Sequence, residues 1–182
     1  EKLKEAMDTI IKELYDAKEY GSIITVSQQD WNALYARFDE IKNEGILSLY
    51  SSEALRLIKL VNVAETLAKK YCILTTNPPY MGASGMAAKL SNYVKNKYPD
   101  SKNDLFAVFI ESCEKMIRKN GYQAMITQHA WMFLSSYEKL RDKILRKNQV
   151  NMVHLGPRAF EEIGGEVVQT TSFVMCNRYD LH

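Results

Sequence analysis

At 182 residues, with 46% hydrophobic and 25% charged residues, the chain has the makeup of a conventionally cored globular domain, which excludes a disordered or fibrous protein. A net charge of +2, from 24 basic and 22 acidic residues, is too balanced to announce a nucleic-acid partner through the overall field, so any such contact must be argued locally. Cys72, Cys113 and Cys176 lie far apart in apolar runs without C-x-x-C spacing, implying buried thiols in a reducing, cytoplasmic setting and no metal site.

The first seventy residues read as three helices, forming a helical lead-in over 1–70. Leu3, Met7, Ile10, Ile11, Leu14 and Ala17 recur at three- and four-residue steps, predicting one amphipathic helix that ends near Tyr20-Gly21. Ser22 to Val26 is a short β-rich run. Ser27 is the expected N-cap of a second helix carrying Trp31, Leu34, Tyr35, Phe38 and Ile41. After Ser51-Ser52 a third helix is apolar on more than one side, so it is buried or lacks its partner. No run approaches the roughly 18 apolar residues of a membrane span, and Glu1-Lys2-Leu3-Lys4 lacks the apolar core of a signal peptide.

From residue 71 strands and helices alternate. Tyr71 to Thr76 is an apolar run of the kind covered on both faces of a sheet, stopped by Asn77-Pro78-Pro79. Residues 81–103 form a long connection with a helix from about Met86 to Lys97. Ser101-x-x-Asp104 resembles a capping box opening a helix that Asn120-Gly121 stops. Tyr122 to Gln128 is a second strand. Ser135-x-x-Glu138 opens a further helix, Val150 to Leu155 is a third strand, and Gly164-Gly165 precedes a fourth, Val167 to Asn177. The alternation predicts α/β class with parallel strands, and the short last connection predicts a C-terminal antiparallel hairpin.

In such a sheet, ligands bind beyond the carboxyl ends of the strands, where Asn77-Pro78-Pro79-Tyr80 falls. The tetrad suits an exocyclic amine, whose lone pair is delocalised into its ring. Two acceptors aimed at its two hydrogens favour a tetrahedral nitrogen as the new bond forms. The Asn77 side-chain carbonyl is one uncharged acceptor and the Pro78 carbonyl the other, with proline limiting the freedom of the loop. Tyr80 offers a flat face to a base, a contact worth about 1–3 kcal/mol. The bland alternative is a rigid turn after a strand.

The tetrad resembles that of the gamma-type N6-adenine DNA methyltransferases. So do Leu74 to Gly82, Asp104 to Glu111 and Gly121 to Gln128, and together with Gly164 to Phe173 they resemble the methyltransferases of bacteriophage-exclusion (BREX) defence systems. The resemblance covers residue 71 to the end well and the lead-in less well. It implies a partial Rossmann-like methyltransferase sheet in residues 71–182, the C-terminal half of the catalytic domain. It also implies methyl transfer from S-adenosylmethionine to adenine N6 of a flipped base in double-stranded DNA, in phage defence or restriction-modification with other defence proteins as partners. Asn77, Pro78, Pro79 and Tyr80 would be the catalytic residues, and Phe160, after the third strand, would clamp the base with Tyr80.

Other residues are open between site and scaffold. Gln128, His129 and Trp131 follow the second strand and are candidates for pocket lining, although the transfer needs no dedicated histidine and tryptophan is commonly core. His154, within a strand, is expected to be a structural histidine. Arg141, Lys143, Arg146 and Lys147 make a basic helix surface, a phosphate contact or simply a solvated face.

The family's donor-binding motif, a glycine-rich turn after a first strand, is not in the sequence: no G-x-G occurs. The expectation is therefore a fragment with the base-holding half of a site, inactive alone, whose Tyr71 to Thr76 strand is an edge through which it dimerises or which its helices cover. The same tetrad serves protein-glutamine and RNA methyltransferases, and a noncatalytic interaction module is the rival of another class.

Overall fold

A computed structural model describes residues 1–43, 47–156 and 169–179, with the side chains of 47–52 and of Tyr179 left aside. The chain divides into two compact units, Glu1–Lys69 and Lys70–His182.

In the first unit, α1 (Lys2–Glu13), the short α2 (Ala17–Tyr20), α3 (Trp31–Asn43) and α4 (Leu47–Ala68) surround Ile10, Leu14, Ile24, Val26, Leu34, Val61, Ala64 and Ala68. The expected first helix is thus interrupted: the chain turns at Leu14 to Asp16 before α2. Ser22 to Val26 forms no strand. It runs through a 3-10 turn at Gly21–Ile23 into extended chain, and Ile23, Ile24 and Val26 are buried. Nor does Ser27 cap α3, because Glu13 captures both its backbone N–H, at 3.0 Å, and its hydroxyl. Asp30 does so instead, its Oδ1 accepting from the Ala33 N–H at 3.0 Å. Helix α4 starts before Ser51-Ser52 and is apolar on two sides, as expected: Val61, Ala64 and Ala68 are buried while Leu55 and Val63 are exposed.

The second unit holds a four-stranded sheet of β1 (Tyr71–Thr76), β2 (Ile117–Gln128), β3 (Lys147–Gly156) and β4 (Thr170–Tyr179), with α5 (Ala88–Lys97), α6 (Leu105–Met116) and α7 (Glu138–Leu145). Its order is β1-β2-β4-β3. β1 and β2 are parallel, and β4 runs antiparallel to both β2 and β3. The expected hairpin is present, but β4 lies between β2 and β3, so those two parallel-running strands are not neighbours.

Two boundaries differ from expectation for physical reasons. Helix α6 ends at Met116 and β2 begins at once, so Asn120-Gly121 lies inside the strand rather than at a helix stop. Asn120 takes a left-handed φ of 62°, and a Cβ on Gly121 would meet the Cys72 carbonyl oxygen at 2.7 Å, so only glycine lets β2 approach β1 here. The expected capping box does not form. Asp104 itself is the N-cap of α6, accepting from the Phe106 N–H at 3.3 Å, while Ser101 donates to Glu111. Helix α7 starts at Glu138 behind a 3-10 turn, with no side-chain cap.

One sheet face packs against α6 and α7 through Phe106, Ile110, Met125, Trp131, Leu140, Ile144, Phe173 and Met175. β1 is an edge strand, as is β3, and it is not covered on both faces: Ile73 is 63% exposed and Cys72 is also exposed, unlike buried Cys113 and Cys176. Burial pushes the Cys113 thiol up to about 12. Among the described residues no helix is long and apolar enough to cross a membrane.

Candidate active site

β1 and β2 point the same way, and the last β1 residue, Thr76, lies opposite Met125. The Asn77-Pro78-Pro79-Tyr80 turn therefore leaves the sheet at the carboxyl ends of two adjacent parallel strands, with β4 alongside β2. A cavity of about 340 Å³ sits there, lined by Thr75, Thr76, Asn77, Ala124, Met125, Ile126 and Ser172.

Within the tetrad, Pro78 is buried, Asn77 and Pro79 are exposed, and Tyr80 is half-buried. The Tyr80 ring meets Phe106 edge-on, with centroids 6.1 Å apart, and its hydroxyl points to the Ile126 carbonyl at 3.4 Å. Burial, with the nearby Asp104 charge, raises the Tyr80 phenol above its ordinary value, so it stays neutral at physiological pH. The next residue is held firmly. Met81 donates its N–H to Asp104 Oδ1 at 2.9 Å and accepts from the Leu105 N–H at 3.0 Å, and Ala83 donates to the Asn103 carbonyl at 2.9 Å. Burial raises the Asp104 carboxyl above the usual carboxylate range, opposed by the amides of Phe106, Met81 and Leu105.

The other candidates separate. Gln128 is half-buried at the end of β2, opposite Thr170. The His129 ring lies 5.4 Å from Phe133 and 5.2 Å from His154, with its Nδ1 buried and unpartnered among the described residues. Trp131 is core rather than lining: it is 2% exposed, edge-on to Phe173, and donates from Nε1 to Thr127 Oγ1 at 3.0 Å. Gln128, His129 and Trp131 are all absent from the walls of the cavity beside Asn77. His154 is exposed, not enclosed. Phe160 and the Gly164 to Val168 segment lie outside the described residues.

The expected basic surface is largely consumed by internal pairing. Arg141 donates to the Trp131 carbonyl at 2.9 Å and to that of Leu134. Lys143 pairs with Asp100 at 2.7 Å and Glu111 at 3.0 Å, and buried Lys147 with Glu114 at 2.5 Å. Thr75, Ala124, Ile126 and Ser172, which line the cavity, carry no motif. Their one signal was alternation along strands whose order only the tertiary structure supplies.

Residues 4–160 match the Eco57I restriction-modification methylase family. The chain is 45% identical over 163 residues to the adenine-specific methyltransferase PglX of Lacticaseibacillus casei (strain Zhang), covering 87% of this chain. It is 43% identical over 167 residues to the adenine-specific methyltransferase BrxX of Escherichia coli O9:H4 (strain HS), covering 90% of this chain. It spans 14% of the length of each relative. A putative class I S-adenosylmethionine-dependent methyltransferase of Listeria monocytogenes overlays it with a TM-score of 0.46 at 12% identity, covering 69% of this chain and 43% of that one. The resemblance that the tetrad and its flanking segments imply is thus carried across most of the sequence, and the chain belongs to the Eco57I restriction-modification methylase family.

Proposed function

We propose that this chain supplies the amine-holding part of an adenine-specific DNA methyltransferase acting in phage defence or restriction-modification in the cytoplasm. The observation that carries the reading is Asn77 in the wall of a cavity at the carboxyl ends of two parallel strands, with a half-buried, neutral tyrosine three residues on. In this reading the Asn77 carbonyl and the Pro78 carbonyl accept the two hydrogens of adenine N6, and Tyr80 faces the flipped base. Phe160 is the second aromatic proposed for the clamp.

S-adenosylmethionine supplies an electrophilic, cationic methyl group when bound. The residues present suit its approach, since among the described residues no lysine or arginine lines the cavity and a sulfonium there meets no like charge. Asn77, as an uncharged acceptor, can face both that cation and the amine without a protonation change. The glycine-rich motif that would hold the rest of the donor is not in this sequence.

The test is to incubate the full-length protein with labelled donor and genomic DNA. N6-methyladenine is expected, and Asn77→Ala should lower the rate roughly 10²- to 10³-fold, the scale of removing one preorganised transition-state partner. Label in protein or RNA would refute DNA adenine as the target, and no label anywhere would leave a noncatalytic module.

A further inference from the structure

The tetrad has an anchoring problem. Pro78 and Pro79 carry no N–H, so two of its four residues cannot donate a backbone hydrogen bond, and beyond Thr76 the chain has left the sheet. The Tyr80 side chain packs against the core cluster and adds a long 3.4 Å hydroxyl contact and an edge-on aromatic contact, none of which fixes the backbone of the tetrad directly. Yet an amine held between two acceptors demands placement to a fraction of an ångström.

We propose that Asp104 is the positioning residue that solves this, its carboxylate fixing the backbone at Met81 and so the orientation of Asn77 to Tyr80. One oxygen, Oδ1, receives both the Met81 N–H at 2.9 Å and the Phe106 N–H at 3.3 Å. The end of the tetrad is thereby tied to the first turn of α6, a helix whose Leu105, Phe106, Ala107 and Val108 are all buried and which cannot shift independently of the core. The return bond from the Leu105 N–H to the Met81 carbonyl, and the Gly82–Asp104 bridge, make the junction two-sided. Glu111, further along α6, is held in turn by Ser101 at 2.8 Å, which fixes the loop that delivers Asp104. Asp104 touches no reacting atom in this scheme. It acts through the backbone.

The proposal rests on the methyltransferase reading for its kinetic arm but not for its structural one. Serine is itself a good N-cap, but its Oγ lies one bond nearer the backbone than Oδ1. In the full-length protein Asp104→Ser should therefore keep the α6 cap and the melting temperature to within a few degrees, yet free the Met81 N–H and leave that residue held only through its carbonyl. Its kcat should fall roughly 10- to 100-fold with KM for DNA changed less than about 2-fold. Hydrogen exchange in peptides spanning 77–83 should rise. Asp104→Asn, which keeps Oδ1, should restore kcat to within about 3-fold of wild type and restore protection. A wild-type kcat in Asp104→Ser would overturn the assignment, and so would an Asp104→Asn whose kcat falls roughly 10-fold or more below wild type, a result that can be read even if serine prevents folding. The exchange arm needs no turnover. If the full-length protein methylates no DNA, the functional reading fails, whereas a Met81 amide exchanging as fast in wild type as in Asp104→Ser sinks the clamp whatever the substrate.

Discussion

The two faces of the second unit's sheet are built from the same strands and obey opposite rules. Toward α6 and α7, Met125, Phe173 and Met175 alternate into a core with Trp131 and Phe106, all of them at most 3% exposed. On the opposite face the intervening residues Ile73, Tyr122 and Val153 are 63%, 43% and 47% exposed. Strand register links the two, since a one-residue slip would exchange them. The cavity beside Asn77 lies mainly on the second face, with Thr75, Ala124, Ile126 and Ser172 in its wall, and reaches Thr76 and Met125 of the first at the strand end. One face therefore holds the scaffold rigid, and the other is available to chemistry.

The sharpest test of that division is Trp131→Ala. Trp131 is fully enclosed and its Nε1–H reaches Thr127 Oγ1, so truncation leaves a cavity and removes one of the two hydrogen bonds of the Thr127 hydroxyl, which still donates to the Gln128 carbonyl at 3.1 Å. A loss of about 3–5 kcal/mol in unfolding free energy is expected by urea denaturation. A loss below about 1 kcal/mol would show that the helix-covered face is not the core.

Much of this arrangement was legible in the residues, and the failures have causes. β1, the tetrad, α5 and the terminal hairpin follow from local signals: an apolar run, a Pro-Pro stop, helical periodicity and a last connection whose sequence has no helical pattern, although at residues 157–169 it is longer than expected. The insertion of β4 between β2 and β3 does not, because pairing between distant strands leaves no local trace. Exposure of β1 was equally hidden, since Tyr71 to Thr76 reads the same whether one face is covered or both. Ser27 failed as a cap because Glu13, fourteen residues away, outcompeted the α3 amides, a tertiary event. At the site, Asn77 and Tyr80 announced themselves by motif. Asp104 was visible only as part of a capping box, and its hold on Met81 depends on bringing residues 81 and 104 together.

A middling effect is expected at the rim of the buried face, where Lys143 joins Asp100 and Glu111. The hydrogen bond from Lys143 is the main cause holding the Asp100 carboxyl below its ordinary value, so that part of the stability is present at neutral pH and is lost as pH falls through the depressed value. For Lys143, burial works against the charge, but its bonds to Asp100 and Glu111 outweigh it and raise the ammonium. That part is lost only as pH rises through the raised value, above the usual lysine range. Because Lys143 is 43% exposed, Lys143→Met should cost no more than about 1 kcal/mol at neutral pH. The gap to wild type should close as the pH falls through the depressed Asp100 value. Denaturation curves at neutral pH and through an acid series check this, and a gap that widens in acid would contradict the pairing.

The smallest effect should come from the open face. Ile73 is a large apolar residue at a central strand position of β1, and on the helix-covered face its replacement would be costly. At 63% exposure it has little packing to lose, and threonine keeps the β-branching that suits a strand. Ile73→Thr in the 182-residue chain should therefore shift unfolding free energy by less than about 0.5 kcal/mol, the ordinary range of surface substitutions. The same change at a covered strand position would remove a buried side chain worth about 1.5–3 kcal/mol. A loss of that size on Ile73→Thr would mean that this face is packed in solution, and the contrast between the two faces would have to be redrawn around whatever covers it.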